Sequence, residues 1–201
     1  MTTQSSTRHH WCLGLVAAAV LGALTVTACG HWSSTSAGGA QTPAPAPSQT
    51  LRLGQPSAQA QEISRYDKTG KFIITPQKVA EGTPQDLREL GYDPAYARQK
   101  IVWIYVSATH VGGERVKGPA IMVDIGAETS PGERATPLLL IGDLSGRPKD
   151  CHDEDPEAYW RRGQTKTACA PYLIPTDAKV TKVTYSQGYY QQPLAWLVPQ
   201  R

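Results

Sequence analysis

The sequence predicts an all-β domain built as an antiparallel sandwich or barrel of about seven strands. Three observations point to this fold class. The β-rich segments beyond residue 70 are short and are separated by Gly, Pro and Ser turn residues. Helical patterns are confined to two stretches that are too short to connect parallel strands. No internal repeat of solenoid or propeller length occurs.

Seven segments carry strand signals. Along the longest, residues 100–111, odd and even positions alternate between two faces. One face carries Ile101, Trp103, Tyr105 and Ser107, and the other carries Val102, Ile104, Val106 and Ala108. The other six segments are residues 71–75, 120–125, 135–144, 165–174, 179–186 and 194–198. Pro76 predicts an edge position for the first of them, because proline cannot donate to a sheet ladder.

Two short helices and one hairpin turn complete the predicted elements. Residues 84–90 predict one or two helical turns, with Thr83 as the N-cap residue and Pro84 in the first helical position. Residues 155–162 predict a second helical piece that Asp155 would cap. Two adjacent glycines at positions 112 and 113 predict a hairpin turn between two strands.

The amino terminus has the layout of a secretory signal peptide over residues 1–28. A short segment with Arg8 precedes an uncharged apolar stretch, residues 11–28. The tetrapeptide Val26-Thr27-Ala28-Cys29 resembles the lipobox of bacterial lipoproteins. This resemblance implies that Cys29 is thioether-linked to diacylglycerol and becomes the first residue after cleavage. An uncleaved membrane anchor and a simple secreted protein are the alternatives.

The charge distribution separates a tether from a domain. Lys and Arg number 20 against 17 Asp and Glu, but the first 61 residues contain only Arg8 and Arg52 as charged residues. Residues 29–60 begin with Cys29 and are rich in Pro, Ala and Ser, a composition that cannot bury a core. We therefore expect a lipidated cysteine and disordered tether over 29–60 and a domain over 61–201, on the extracytoplasmic face of the cell membrane.

The two remaining cysteines, Cys151 and Cys169, predict a disulfide. An exported domain folds where disulfides persist, and closing this loop would stabilise the domain by about 3 kcal/mol in the chain-entropy treatment. A zinc site that also draws on His110 and His152 is the alternative, although the chain has no CxxC and lacks the usual ligand spacing.

The carboxy-terminal third resembles the end of the telokin-like, immunoglobulin-type domains of actinobacterial lipoproteins and secreted antigens. The similarity covers the order of three segments: residues 169–175 (CAPYLIP), residues 178–185 (AKVTKVTY) and residues 194–198 (LAWLV). It implies an immunoglobulin-like β-sandwich of about seven strands outside the cell. Residues 78–99 depart from the family pattern, because they form a polar, turn-rich insertion.

Motifs for common chemistry are weak or missing. Residues 142–146 read G-x-x-S-G, not the G-x-S-x-G of a nucleophilic serine, so a turn explains Ser145. His110 ends a predicted strand and His152 adjoins the cysteine pair, so we interpret both as surface or turn residues. The net charge of +3 is too small for a phosphate-neutralising protein. We expect no catalytic residue, no cofactor, no metal and no nucleic-acid partner.

Two clusters remain as candidate sites. A calcium-binding loop is one interpretation of the acidic residues of 150–157. The segment lacks the glycine of such loops, however, and Arg161 and Arg162 lie close enough in the sequence to neutralise its charge. Tyr185, Tyr189 and Tyr190, which lie in a Tyr/Gln-rich stretch, are the possible binding surface, because tyrosine offers rigid amphipathic contact area. Burial of one or two of these tyrosines at the sandwich edge is the alternative.

The sequence thus predicts a lipid-anchored, non-enzymatic immunoglobulin-like module. It would bind an unknown protein, peptide or envelope component through its loops, and it would contact the membrane through the lipid on Cys29. An extracytoplasmic hydrolase with an unrecognised site and a purely structural subunit of an envelope complex are the alternatives. The sequence does not identify the ligand.

Overall fold

The computed structural model of the chain describes residues 50–89, 96–130, 132–139, 146–188 and 191–200. Most of these residues lie in β-strands. The strands are β1 (Thr50–Arg52), β2 (Gln61–Arg65), β3 (Lys68–Glu81), β4 (Gln99–Gly113), β5 (Val116–Lys117), β6 (Ile125–Thr129), β7 (Thr136–Pro137), β8 (Tyr159–Trp160), β9 (Thr165–Pro175), β10 (Val180–Tyr185) and β11 (Leu194–Leu197). The described helices are α1 (Pro84–Glu89) and one 3-10 helix (Ile121–Asp124).

The strands form a β-sandwich, which confirms the predicted fold class. One sheet has four strands in the order β1-β11-β10-β6, and the other has five in the order β2-β3-β4-β9-β7. Strands β5 and β8 form a separate two-stranded ribbon. Pairing is antiparallel throughout the described residues except between β1 and β11, which run parallel. The described strands exceed the predicted seven, because short strands such as β1, β5 and β8 carry too little pattern to be recognised locally.

Strand β4 organises the five-stranded sheet because it is buried on both faces. Its even positions from Val102 to Ala108 face the four-stranded sheet and join the main core. Its odd positions Ile101, Trp103 and Tyr105 face outward into a second, smaller core. The predicted alternation along this strand is therefore confirmed, with apolar partners on both sides.

The main core lies between the two sheets. Its largest fully buried side chains include Trp196 of β11 and Tyr172 of β9. The indole N–H of Trp196 donates to the backbone carbonyl of Gln55 at 2.8 Å, and the Tyr172 hydroxyl donates to the carbonyl of Ile125 at 3.0 Å. Both polar groups are thus paired inside the sandwich, which removes the cost of burying them.

The second core covers the outer face of the five-stranded sheet. A disulfide joins Cys151, in the loop before β8, to Cys169 of β9, and both cysteines are buried beside Trp103. Asp150 accepts a hydrogen bond from the Tyr105 hydroxyl at 2.8 Å and pairs with Lys78 at 2.6 Å. The covalent bond and these contacts hold the loop against the sheet.

The sandwich begins before the predicted boundary at residue 61. Strand β1 pairs with β11, and both Leu51 and Leu53 pack against the main core. Residues 50–60 therefore belong to the fold, and a tether over 29–60 is too long by this segment. The segment contains only one charged residue because its apolar positions are used for packing. The leader, Cys29 and residues 30–49 lie outside the described residues.

Three local predictions are wrong. Residues 120–125 hold the 3-10 helix rather than a strand, entered through Ala120 in the left-handed conformation (φ 56°). Residues 155–162 hold a turn and β8 rather than a helix, because Asp155 bonds the backbone N–H of Glu157 and closes a tight turn. Residues 112–113 extend β4, where they pair with Gly70 and Lys71, rather than turning back on it.

Of two further predictions, one is met in part and one is wrong. Of the predicted strand 135–144, only β7 (Thr136–Pro137) is a strand among the described residues, and 140–145 lie outside them. Pro76 lies at a register shift of β3, opposite Val106, beyond the part of β3 that β2 covers. The segment after β1 covers the other side of this stretch, since the N–H of Gly54 donates to the Pro76 carbonyl at 2.8 Å. Strand β3 is thus an interior strand of its sheet, and the proline is accommodated at the register shift instead of at an edge.

Helix α1 forms where the sequence predicted it, between residues 84 and 89. Asp86 accepts hydrogen bonds from the backbone N–H of Thr83 at 2.6 Å and from its hydroxyl at 2.9 Å. Thr83 donates both of these bonds, and the N–H of Asp86 donates back to the Thr83 carbonyl at 3.1 Å. The contact of the Asp86 carboxylate with the N–H of Thr83 is one half of a capping box, with aspartate in the third helical position. Asp86 is fully buried, and Gly146 lies directly against its carboxylate.

We predict that Gly146→Ala strongly destabilises the domain. A Cβ on Gly146 would overlap Oδ1 of Asp86, so the buried carboxylate or its loop would have to move. We expect a loss of about 3 kcal/mol in the free energy of unfolding, measured by urea denaturation. Gly112→Ala is the matched control, since its Cβ would meet only Lys71 at 3.9 Å. Equal stability of the two variants would contradict this packing.

Candidate binding groove

The acidic residues of 150–157 do not converge on one point, because each has its own partner. The shortest contacts are Asp150 with Lys78 at 2.6 Å, Asp153 with Arg147 at 2.8 Å, and Glu157 with Lys117 at 2.5 Å. Their partners differ from the Arg161 and Arg162 that the sequence suggested. Among the described residues, no three His, Cys, Asp or Glu side chains group in a way that could hold a metal ion.

Glu154 is the most buried of these carboxylates. Its two oxygens accept hydrogen bonds from the backbone N–H groups of Ile121 at 2.7 Å and Met122 at 2.9 Å, at the start of the 3-10 helix. Burial raises the pKa of Glu154 above its usual value, and these two hydrogen bonds oppose that shift in part. Burial also raises the pKa of nearby Asp124. Glu154 thus acts as a structural clamp on the segment before β6.

A crevice of about 90 Å³ adjoins Glu154, Asp153 and Asp155. That volume corresponds to about three water molecules, since each occupies ~30 Å³ in the liquid. The crevice is therefore too small for the substrate of a hydrolase, and its carboxylates are already engaged. Neither of the histidines beyond residue 31 lines it.

His110 is buried, which corrects its interpretation as a surface or turn residue. It is 1% exposed and stacks on Phe72, with ring centroids 4.8 Å apart. Neither ring nitrogen has a hydrogen-bond partner within the described part of the chain. His110 cannot serve as a zinc ligand with the cysteines, because both sulfurs are in the disulfide. His152 is exposed, as expected.

The predicted Tyr surface is not supported at the one position that the structure describes. Tyr185 ends β10 and is only 3% exposed, because its side chain points between the sheets into the main core. Burial raises its pKa to about 12, so the phenol stays neutral. Tyr189, Tyr190 and Ser145 lie outside the described residues, as does Cys29.

A groove of about 750 Å³ lies where three separate segments meet. The first segment is the tight turn between β2 and β3, in which Tyr66 (φ 48°) and Asp67 (φ 62°) both adopt the left-handed conformation. This is the turn geometry that matches the twist of a two-residue hairpin. The second segment runs from the end of β4 into β5, and the third is β8. We call this the Arg/Tyr groove; its lining residues are Arg65, Tyr66, Lys68, Glu114, Arg115, Lys117 and Tyr159.

Two arginines in the Arg/Tyr groove lie over aromatic rings. The guanidinium of Arg115 is 3.9 Å from the ring centroid of Tyr159, and that of Arg65 is 5.3 Å from that of Tyr66. Both tyrosines are well exposed, at 50% and 69%. Both guanidiniums therefore lie within cation–π distance of an exposed ring.

The groove's lysines differ from its arginines in having carboxylate partners. Lys68 pairs with Glu114 at 2.6 Å, and Lys117 pairs with Glu157 at 2.5 Å. These hydrogen bonds raise the pKa of both lysines, and they lower the pKa of Glu114. Arg65 and Arg115 form no ion pair with any other described residue. Their donors are thus the groove's unused binding capacity, suited to a carboxylate or phosphate.

Sequence reasoning missed the Arg/Tyr groove because its residues come from three segments far apart in the chain. Tyr66 and Tyr159 are separated by more than 90 positions, and no local spacing links them. The signal that existed was the Tyr66-Asp67 turn between two alternating segments. It was weak, because hairpin turns of this type usually carry Asn-Gly or Asp-Gly.

Comparison with known proteins finds similar structures but no matching family. No protein-family model matches the chain, and no curated protein matches it. The secreted protein MPT63 of Mycobacterium tuberculosis is 15% identical over 75% of this chain and 97% of its own, with a TM-score of 0.46.

Two further solved structures show similarity to this chain. One is YcdA of Bacillus subtilis, at 9% identity over 69% of this chain and 37% of its own, with a TM-score of 0.40. The other is from Staphylococcus aureus, at 13% identity over 69% and 92%, with a TM-score of 0.42. Both are assigned as lipoproteins. The β-sandwich is defined by the strand pairing of this chain itself, independently of these similarities.

We predict that Glu154→Gln changes the pH dependence of stability. Because the pKa of Glu154 is raised in the folded state, folding takes up a proton as the pH falls from the folded-state pKa toward the ordinary glutamate pKa of 4.5. The wild type therefore gains stability relative to the variant over that range. The variant also loses one acceptor for the 3-10 helix N–H groups, which costs about 1–3 kcal/mol. Urea denaturation of both proteins from pH 7 to 4.5 measures this. A constant difference would refute the linkage.

We also predict that His110→Phe does not destabilise the domain. The substitution keeps the stack on Phe72 and removes two buried nitrogens that have no described partner, each a cost of about 1–3 kcal/mol. We expect thermal unfolding at the wild-type temperature or above. Phe72→Ala is the reference for a true loss of packing, at about 3–5 kcal/mol. A comparable loss in His110→Phe would show that the imidazole has an essential polar partner.

Proposed function

We propose that this protein is a lipid-anchored, extracytoplasmic, non-enzymatic binding module of the immunoglobulin-like, telokin-like type. The lipobox-like segment that ends in Cys29 supports the anchor and the location. Among the described residues, no helix is long and apolar enough to cross a membrane. The ligand class is an anionic component of the cell envelope.

The proposal of an anionic ligand is based on the two arginines of the Arg/Tyr groove. In the Arg/Tyr groove, Arg65 and Arg115 lie over exposed tyrosine rings, at 5.3 Å and 3.9 Å from the ring centroids, and neither forms an ion pair with a described carboxylate, although Arg65 lies near enough to Glu154 to lower its pKa. A guanidinium presents parallel N–H donors that match a carboxylate or phosphate bidentately. The groove's volume, about 750 Å³, lies in the range of ligand sites, ~300–1,000 Å³. The ligand is therefore an anionic group with a neighbouring body large enough to contact tyrosine.

The engagement of the acidic residues and the burial of His110 argue against the hydrolase alternative. A hydrolase needs a nucleophile or general base with free access to a substrate. The carboxylates of 150–157 bind cations or backbone N–H groups, and His110 faces Phe72 in the core. These contacts explain the residues as structural ones. Binding by the Arg/Tyr groove needs no such group.

We predict that the double variant Arg65→Ala, Arg115→Ala loses affinity for polyanions. The purified full-length chain is titrated with polyphosphate and with polygalacturonate at low salt, and binding is measured by calorimetry. We expect the double variant to bind at least about tenfold more weakly, because two charge-assisted contacts are lost. The matched control is Arg52→Ala, Arg98→Ala, which removes the same charge from two exposed positions outside the groove.

Equal weakening in the groove variant and the control would show that net charge alone matters, and it would contradict the assigned site. Absence of binding to both polyanions in the wild type would contradict the anionic ligand class. The anchor is tested separately by mass spectrometry of the amino terminus and by membrane fractionation of Cys29→Ala. A variant that stays wholly with the membrane would overturn lipidation at Cys29.

A further inference from the structure

The polypeptide enters the sandwich at a defined end. Strand β1 begins at Thr50, which pairs with Ala195 near the start of β11. The end of β10 is at the same place, because Tyr185 pairs with Leu194 on one side and with Ile125 on the other. We call this the proximal end, and the opposite one the distal end. The 3-10 helix directly precedes Ile125 and therefore lies at the proximal end.

The Arg/Tyr groove also lies at the proximal end. Strand β9 runs toward Pro175, and only four residues, 176–179, separate it from the start of β10 at Val180. Pro175 and Val180 are therefore distal, and Thr165, at the other end of β9, is proximal. Thr109 of β4 pairs with Thr165, so the last residues of β4 point the same way. Those residues pair with the start of β3, beside the groove's turn.

Direct contacts agree with this placement. The side-chain N–H of Gln187, which follows β10, donates to Gln61 of β2 at 2.6 Å. Arg65 of the groove lies near enough to Glu154 to lower its pKa electrostatically, and Glu154 clamps the 3-10 helix. Groove, 3-10 helix and chain entry thus share one end of the sandwich.

This end carries the residue types that favour a membrane–water interface. It exposes Tyr66, Tyr159 and Val123, the last at 80%. It also carries the arginines and lysines of the Arg/Tyr groove. Amphipathic aromatic rings sit at the level of lipid headgroups, and arginines beside them bind lipid phosphates.

We infer that the proximal end docks on the anionic phospholipid surface in which the chain is anchored, with Arg65 and Arg115 bound to lipid phosphates. This inference rests on the proposed function and names the ligand of the Arg/Tyr groove. Twenty residues separate Cys29 from Thr50. Twenty residues in polyproline conformation would span about 60 Å. This chain length bounds the distance between the lipid on Cys29 and Thr50, and binding by the groove would select the orientation of the domain.

The test measures the depth of the two ends of the sandwich in the lipidated protein. A single cysteine is introduced at an exposed residue of each end, Val123→Cys at the proximal end and Ala97→Cys before β4 at the distal end. Each is labelled with a polarity-sensitive fluorophore, since the disulfide is buried and Cys29 is acylated. The proteins are reconstituted into vesicles of phosphatidylcholine alone or with one-third phosphatidylglycerol, with spin-labelled lipid as the quencher.

With phosphatidylglycerol, we expect the label at position 123 to shift to shorter wavelength and to be quenched at least threefold more than the label at position 97. Both effects should be lost in Arg65→Glu, Arg115→Glu and near 1 M salt, where charges are screened beyond ~3 Å. The control Arg52→Glu, Arg98→Glu should retain them. Equal quenching of both labels, or the same quenching in phosphatidylcholine alone, would overturn the inference.

Failure of this inference and failure of the proposed function give different results. A protein that is lipidated and binds polyphosphate, yet leaves position 123 unquenched, overturns membrane docking only, and its anionic ligand is then a polymer of the envelope. A protein without diacylglycerol on Cys29, or without polyanion binding, overturns the proposed function itself.

Discussion

Strand β4 is buried on both of its faces, and the rest of the domain depends on that constraint. A strand of 15 residues with apolar side chains on both sides needs a sheet partner along each edge and a cover on each face. Strands β3 and β9 pair along its edges, and the four-stranded sheet covers one face. The other face is covered by the loop that the disulfide holds against Trp103. Without that loop, a row of large apolar side chains would be exposed to water.

The same constraint positions the Arg/Tyr groove. Because β4 is longer than the strands of the facing sheet, its last residues extend to the edge of the sandwich and continue into β5. The β5–β8 ribbon then closes this end, with Trp160 packed edge-on against Phe72. Tyr159, the neighbour of Trp160 in β8, points outward because successive residues of a strand face opposite sides. Strand β8 thus supplies Trp160, which covers the end of the core, and Tyr159, whose ring lies under the guanidinium of Arg115.

Conventional catalytic residue types are used structurally in this domain. Asp86 caps a helix, Glu154 clamps the 3-10 helix, and the cysteines form a disulfide. His110 fills space beside Phe72. Arg65 and Arg115 of the Arg/Tyr groove lie over tyrosine rings and form no ion pair with a described carboxylate, as is also true of exposed cations such as Arg161 and Arg162.

The sequence alone determined the all-β class, the alternation of β4, the short helix after Thr83 and the cysteine pair, and its lipobox-like amino terminus stays a prediction. These features depend on neighbours within a few positions, or on residue types whose pairing has few alternatives. Tertiary structure decided the burial of His110 and Tyr185, the 3-10 helix in place of a strand, the parallel pairing of β1, and the Arg/Tyr groove. Each depends on contacts between residues that are far apart in the chain. Local periodicity carries no information about which distant segment will cover a side chain, so only the folded sandwich could bring Arg65, Arg115 and their tyrosines to one end.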